Sequence, residues 1–287
     1  MADRAHERAR GRGISRPLYW AIRLLLTPLL RGWFRLTIRG AEHLPDAGPA
    51  ILAPNHKSFL DPFFLSLATR RPLRFMAKVE LFRGPLRWLF PRLGAFPVRR
   101  GETDAEAMAT ARALLERGEL VVLFLEGTRV DEPDALGAPH HGAARLACET
   151  GAPILPTAIS GTAHLWLGPV PKPRHVRIAI VDPVVPPEGP DAVAAMSALI
   201  DRRVWPAVQE EYGWLQATPG VVVAALAATG LGAGLVARRQ RRAAPPRVLG
   251  VVPPKRLRRR RVRGERLARA ARAPRAAVDR LRRALHR

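Results

Sequence analysis

An α/β domain with a largely parallel mixed sheet flanked by helices is the fold class this sequence predicts. Three observations predict it. Strand-like and helix-like segments alternate between residues 39 and 216. One of them, Leu120-Val121-Val122-Leu123-Phe124-Leu125, is apolar throughout and reads as a buried strand. Residues 40–216 are nearly neutral, with 19 basic and 20 acidic side chains in a chain of net charge +24, as an ordinary globular domain would be. No internal repeat and no glycine-rich nucleotide fingerprint interrupts it.

The elements follow in order. Ala50-Ile51-Leu52-Ala53-Pro54 is a strand-like run, and Arg74–Lys78 and Ala95–Val98 are short extended segments. Thr103-x-x-Glu106 is a capping box opening a helix through Met108, Ala111, Leu114 and Leu115, which ends at Gly118. After the Leu120–Leu125 strand, Gly142–Thr150 is helical and stops at Gly151. Ile154–Ile159 and His175–Val181 are strands, and Asp191–Tyr212 is a helix interrupted at Pro206. The single cysteine, Cys148, excludes an internal disulfide and reads as a small buried side chain in a helix.

Both ends are cationic. Residues 1–39 hold nine arginines against Asp3 and Glu7, and residues 217–287 carry a net +18. Such charge points to nucleic acid or an anionic membrane surface. The N-terminal end decides for membrane. Its arginines precede a run rich in Trp, Tyr and Leu from Leu18 to Leu30, broken by Arg23 and Pro28, which is too short to span. It is read as interfacial helices over residues 1–38, with Trp20 and Trp33 as anchors; the alternative is a helix packed on the domain. Residues 217–237 form an apolar, possible membrane segment. Its 19 uncharged residues from Pro219 to Ala237 suit a span, yet Ala and Gly supply little apolar area. Residues 238–287 are an Arg/Ala/Pro tail expected to be mostly disordered. A span would put that tail in the cytoplasm and the domain outside. The expected topology is therefore a cytoplasmic domain on the cell membrane, with 219–237 dipping into one leaflet or packing on a partner.

The chemistry concentrates in Asn55-His56-Lys57-Ser58-Phe59-Leu60-Asp61-Pro62. A neutral imidazole can take a proton from a hydroxyl, and a carboxylate on its other nitrogen fixes the tautomer. On one helix, residues five apart point about 140° away from each other. The pair meets only if His56 lies in the turn before a helix and Asp61 in its first turn, with Ser58 as candidate N-cap. Three further clusters sit at strand ends: Pro97-Val98-Arg99-Arg100-Gly101, Glu126-Gly127-Thr128-Arg129, and Gly151-Ala152-Pro153-Ile154-Leu155-Pro156. The arginines offer forked donors for a phosphate, Gly127 permits close backbone approach, and Glu126 would hold Arg129 in one pose.

The four motifs in this order resemble those of the glycerolipid acyltransferase family, whose best-known members are the lysophosphatidic acid (1-acylglycerol-3-phosphate) O-acyltransferases. The resemblance runs from about Arg39 to Ile180. It implies a catalytic His56 and Asp61. It also implies an acceptor phosphate held by Arg100, with Arg99 beside it, and by Glu126, Gly127, Thr128 and Arg129, with Lys78 as a further candidate. The reaction implied is transfer of an acyl group from an acyl-CoA or acyl carrier protein thioester to the free hydroxyl of 1-acylglycerol 3-phosphate, giving phosphatidic acid. No bound cofactor and no metal is expected. Partners would be the lysophospholipid, the thioester and an anionic membrane surface.

The sequence departs from the family pattern at Leu125, where proline is usual, and at Val130, which replaces a hydroxyl. Pro139-His140-His141-Gly142 stands where a basic residue is common, and a loop before the Gly142 helix is the reading for both histidines. Rival readings are another acceptor, such as glycerol 3-phosphate or another lysophospholipid, a catalytically dead membrane scaffold, and a nucleic-acid-binding protein using the basic tail. The last would bind in a salt-sensitive way, but no groove-reading motif accompanies it.

Overall fold

The computed structural model describes residues 2–11, 13–83, 85–99, 104–167, 170–217 and 247–248. The apolar segment 219–237, the basic tail apart from Arg247–Val248, and Arg100 and Thr103 lie outside the described residues. In chain order the first elements are α1 (Ala2–Gly11), α2 (Arg16–Pro28), β1 (Thr37–Arg39), β2 (Ala50–Pro54), α3 (Asp61–Ser66), β3 (Leu73–Lys78), α4 (Leu89–Arg92), β4 (Ala95–Val98), α5 (Ala105–Glu116) and β5 (Leu120–Val122). Then come β6 (Ala135–Leu136), α6 (Gly142–Thr150), β7 (Ile154–Ser160), β8 (Trp166–Leu167), β9 (Val170–Pro171), β10 (Arg177–Ile180), α7 (Ala192–Leu199), α8 (Trp205–Ala217) and β11 (Arg247–Val248).

Seven strands form one sheet in the order β1-β10-β7-β2-β5-β3-β4. From β7 to β4 all neighbours run parallel; β10 is antiparallel to β7, and β1 follows β10. The sheet is thus mixed and largely parallel. Its central strands are covered on both faces, which is why they read as unbroken apolar runs. Along β2, Ile51 and Ala53 enter the core shared with α5, α6 and α8, while Ala50 and Leu52 enter the core shared with Phe34, Phe64 and Leu65. Each fully buried Leu or Ile contributes about 1.5–3 kcal/mol. A slip of one residue in β2 would exchange the two cores, so the register is strongly specified.

Three local expectations are corrected. The N-cap of α5 is Asp104, whose carboxylate accepts from Ala107 N at 3.2 Å. A carboxylate satisfies that amide and also faces the positive end of the helix dipole. β5 leaves the ladder after Val122; Leu123 N still reaches Leu52 O at 2.9 Å before the chain turns away. The break between α7 and α8 precedes Pro206: Ile200–Val204 forms a π-turn. Pro206 has no N–H for the carbonyl four residues back, and the wider turn absorbs that loss.

The N-terminal helices take different positions. α1 packs on α5, burying Ala5, His6 and Ala9. His6 Nδ1 lies 2.9 Å from Thr110 Oγ1, Arg10 pairs with Glu106 at 2.6 Å, and Arg117 takes the carbonyls of Ala9 and Arg10. α2 buries Tyr19 but leaves Leu24 and Leu25 about three-quarters exposed, at 76% and 75%, next to exposed Trp20 and Trp33. Among the described residues no helix is long and apolar enough to cross a membrane.

Candidate active site

β2 and β5 are adjacent and parallel, so the loops that follow them emerge side by side at one edge of the sheet. Asn55 continues β2 with its side chain: Nδ2 donates to Ile159 O at 3.0 Å, and Oδ1 accepts from Ile159 N at 2.8 Å. This amide pairing imitates a strand ladder and fixes where His56 leaves the sheet.

Asp61 is the first residue of α3, and His56 stands in the turn before it. Asp61 Oδ2 lies 2.8 Å from His56 Nδ1 and accepts from Lys57 N and Ser58 N at 2.8 Å each. The two side chains are buried, at 5% and 0% exposure. Phe124 stacks on the imidazole with centroids 3.8 Å apart. With the Nδ1 proton directed at Asp61, the lone pair of the neutral ring sits on Nε2. Ser58 is not the N-cap expected of it. The chain makes one more turn, Asp61 N donating to Ser58 O at 3.2 Å, and Leu60 takes the cap position.

Glu126 corrects the sequence reading most. Glu126 is 2% exposed, and its two carboxylate oxygens face backbone amides. Oε2 accepts from His56 N at 2.5 Å and Oε1 from Gly137 N at 2.7 Å. No ion pair joins Glu126 to Arg129, which is exposed. Two buried backbone N–H groups need an acceptor there, and the carboxylate supplies both. Burial pushes the Glu126 carboxyl up to about 7, against the amides of Gly137 and His56 and the charge of Lys57. Burial also holds the Lys57 ammonium below its ordinary value, with Glu126 opposing. Lys57 Nζ donates to Glu132 O at 2.7 Å and to Ala135 O, and lies over the Tyr212 ring. Tyr212 Oη in turn donates to Pro133 O. Val130 N closes the group by donating to His56 O at 3.0 Å.

Gly127-Thr128-Arg129 forms the open part of the site. Gly127 has φ +65, and a Cβ there would fall 2.9 Å from the His140 ring. Both facts require glycine. His140 therefore stands against this loop, whereas His141 pairs with Asp201 at 2.9 Å at the start of α6. Val130 is core, 1% exposed, so its missing hydroxyl does not border the open loop. Lys78 ends β3 and pairs with Glu80 at 3.0 Å; Arg99 follows β4, its backbone N donating to Asp104 Oδ2 at 2.7 Å. β3 and β4 are two and three strand spacings from β2, on the order of 10 and 14 Å. The structure thus brings His56, Asp61 and Glu126 together, with the 127–129 loop following directly, and sets Lys78 and Arg99 further along the same edge. Pro153-Ile154-Leu155-Pro156 does not belong to that edge. It opens β7, with Ile154 beside Ile51, so it lines the flank of β2.

Sequence reasoning gave no role to Asn55, Lys57, Phe124 or Tyr212. Lys57 and Asn55 flank the histidine and were visible there; Tyr212, some 150 residues on, carried no signal. Cys148 is half-buried in mid-helix, its thiol pushed up by burial, as expected of an inert thiol. Among the described residues no three His, Cys, Asp or Glu side chains converge as a metal site requires.

Residues 35–160 match the protein family described as Acyltransferase. The 1-acyl-sn-glycerol-3-phosphate acyltransferase of Bacillus subtilis is 30% identical over 145 residues, covering 49% of this chain and 68% of that protein. The chain belongs to the glycerolipid acyltransferase family. A plant relative, the chloroplastic 1-acyl-sn-glycerol-3-phosphate acyltransferase LPAT1 of Arabidopsis thaliana, is 31% identical over 137 residues, which are 46% of this chain and 38% of the plant protein. The chain therefore spans about two fifths of that relative's length. Among solved structures, the LPA acyltransferase PlsC of Thermotoga maritima superposes with a TM-score of 0.55 at 25% identity, over 75% of this chain and 84% of that chain. The structural likeness thus covers more of the chain than residues 35–160, which already hold six of the seven strands of the sheet.

Proposed function

We propose that this protein is an O-acyltransferase that moves a fatty acyl group from a thioester to the free hydroxyl of 1-acylglycerol 3-phosphate, giving phosphatidic acid. One observation carries the reading: a buried His56–Asp61 pair, 2.8 Å apart, at the sheet edge where the Gly127–Arg129 loop also emerges. His56 Nε2 takes the hydroxyl proton as the oxygen attacks the thioester carbonyl. The ester C–O bond forms, the C–S bond breaks, and the thiolate leaves with the proton returned by His56. Asp61 orients the ring and stabilises its protonated form. Such a base typically adds about 10²–10⁴-fold. Arg129, with the backbone at Gly127 and Thr128, grips the acceptor phosphate; Arg99 and Lys78 extend the cationic edge, and Arg100, which follows Arg99 in sequence, is the further phosphate-binding arginine that the family motif implies. Holding the phosphate keeps the hydroxyl near the thioester carbonyl, where positioning supplies much of the acceleration.

The acyl donor is acyl-CoA or acyl carrier protein, and the domain works on the cytoplasmic side of the cell membrane. The exposed Trp20, Leu24, Leu25 and Trp33 support a lipid-facing α2. Basic residues nearby would add about 1 kcal/mol each at an anionic surface.

A panel of donors and acceptors, run on wild type and His56→Ala, tests the reading. Wild type should acylate 1-acylglycerol 3-phosphate, and His56→Ala should lose nearly all turnover while keeping its fold by circular dichroism. Turnover only on acceptors lacking a phosphate would remove the arginine grip from the account. Retained activity in His56→Ala would remove the base.

A further inference from the structure

We infer that Glu126 is a positioning residue for the catalytic histidine and does not bind the acceptor. The inference rests on the acyl-transfer reading. Its geometry is direct: the carboxylate spans His56 N at 2.5 Å and Gly137 N at 2.7 Å, with almost no surface open to a ligand. A phosphate could reach it only by displacing those bonds and would meet like charge. The bonded amide is that of the residue that transfers the proton, so the carboxylate sets the backbone from which the imidazole projects. The second amide belongs to Gly137, where a Cβ would fall 3.3 Å from Glu126 Cγ; the glycine lets the strand come close. The same span of chain holds Lys57 through the carbonyls of Glu132 and Ala135. Glu126 and Lys57 together therefore clamp residues 56–57 to the 132–137 loop.

The groups facing this carboxylate are Lys57 and Asp61 from the catalytic loop and Tyr212 from α8. Burial raises the Glu126 carboxyl to about 7, so the grip on the amides weakens as pH falls through neutrality. The clamp then imposes its own acid limb on turnover, separate from any protonation of the base.

The test is steady-state kinetics of full-length wild type, Glu126→Gln and Glu126→Asp on 1-acylglycerol 3-phosphate vesicles from pH 5.5 to 9, with His56→Ala alongside. Gln keeps the shape but cannot accept from both amides, and Asp is too short to span them. Both should lower kcat, by about 10²-fold for a displacement near 1 Å. The acceptor KM should change less than threefold, and the acid limb should move to lower pH in Glu126→Gln. A tenfold rise in acceptor KM with kcat retained would overturn the inference and make Glu126 part of the phosphate grip. An equal loss at every pH would reduce it to a fold element. An inactive His56→Ala beside Glu126 variants altered only in KM would defeat this inference alone. An active His56→Ala would instead defeat the underlying reading.

Discussion

Two loops leave the same edge of the sheet and are built in opposite ways. Residues 55–58 and Asp61 are buried, with only Phe59 and part of Leu60 reaching the surface: Asn55 is paired to β7, His56 touches Asp61, Glu126, Val130 and Phe124, and Lys57 is fixed at its tip. Residues 127–129 are open, with Gly127 and Arg129 exposed. On the proposed reaction, the difference separates two tasks. A base must hold one geometry through the reaction, so its loop is tied down by side-chain and backbone bonds from three directions, with Asp61 Oδ2 alone meeting three donors. An anion site must admit and release its ligand, so its donors stay uncommitted until the ligand arrives.

The sharpest way to break this contrast is Asp61→Asn. One carboxylate oxygen serves three donors there. An amide keeps one oxygen but loses the charge and can place an N–H against the ring. Turnover should fall about 10²–10⁴-fold, the range expected when a base loses its tautomer, while the acceptor KM stays near wild type. An unchanged kcat would show that the enclosure serves folding alone.

Next in size is Arg129→Ala, which probes the open loop. A lost charge-assisted hydrogen bond costs about 1.5–3 kcal/mol. The acceptor KM should rise about 10–100-fold with kcat little altered, the reverse of the split expected at Asp61. A kcat loss matching that of Asp61→Asn would mean the two loops act as one unit.

How much of this was legible in the sequence follows the same division. The His56–Asp61 contact was readable because the spacing narrows how the pair can meet: on one helix they diverge, so they meet with His56 in a turn before a helix that starts at Asp61. The buried strands were readable because both their faces are apolar. Glu126 was misread because a carboxylate three residues before an arginine suggests an ion pair, whereas its partners are backbone amides, which every residue has. Lys57 and Tyr212 were missed because their contact joins a loop to α8 across the whole fold, and nothing local announces it. Val130 looked like a lost hydroxyl and is core, since the side of the loop a residue faces depends on a turn that glycine alone permits at position 127.

The smallest expected effect lies at the N-terminus, where the contrast between fixed and open surfaces recurs. α1 is arginine-rich yet packs on the core through the small faces of Ala5 and Ala9, which let it approach α5 closely. α2 carries leucines that nothing in the described chain covers, at 76% and 75% exposure. Charge alone thus did not predict which helix faces outward; the bulk of the apolar residues did. If α2 rests on lipid, Leu24→Ser with Leu25→Ser should weaken binding to anionic vesicles several-fold and slow turnover on vesicle-borne acceptor to match. Turnover on a short-chain, monomeric acceptor should stay unchanged, because neither leucine lies in the loops proposed to carry the chemistry. Equal slowing on both acceptors would place α2 among the elements that shape the active site, and the division between a fixed catalytic edge and a separate lipid-facing helix would fail.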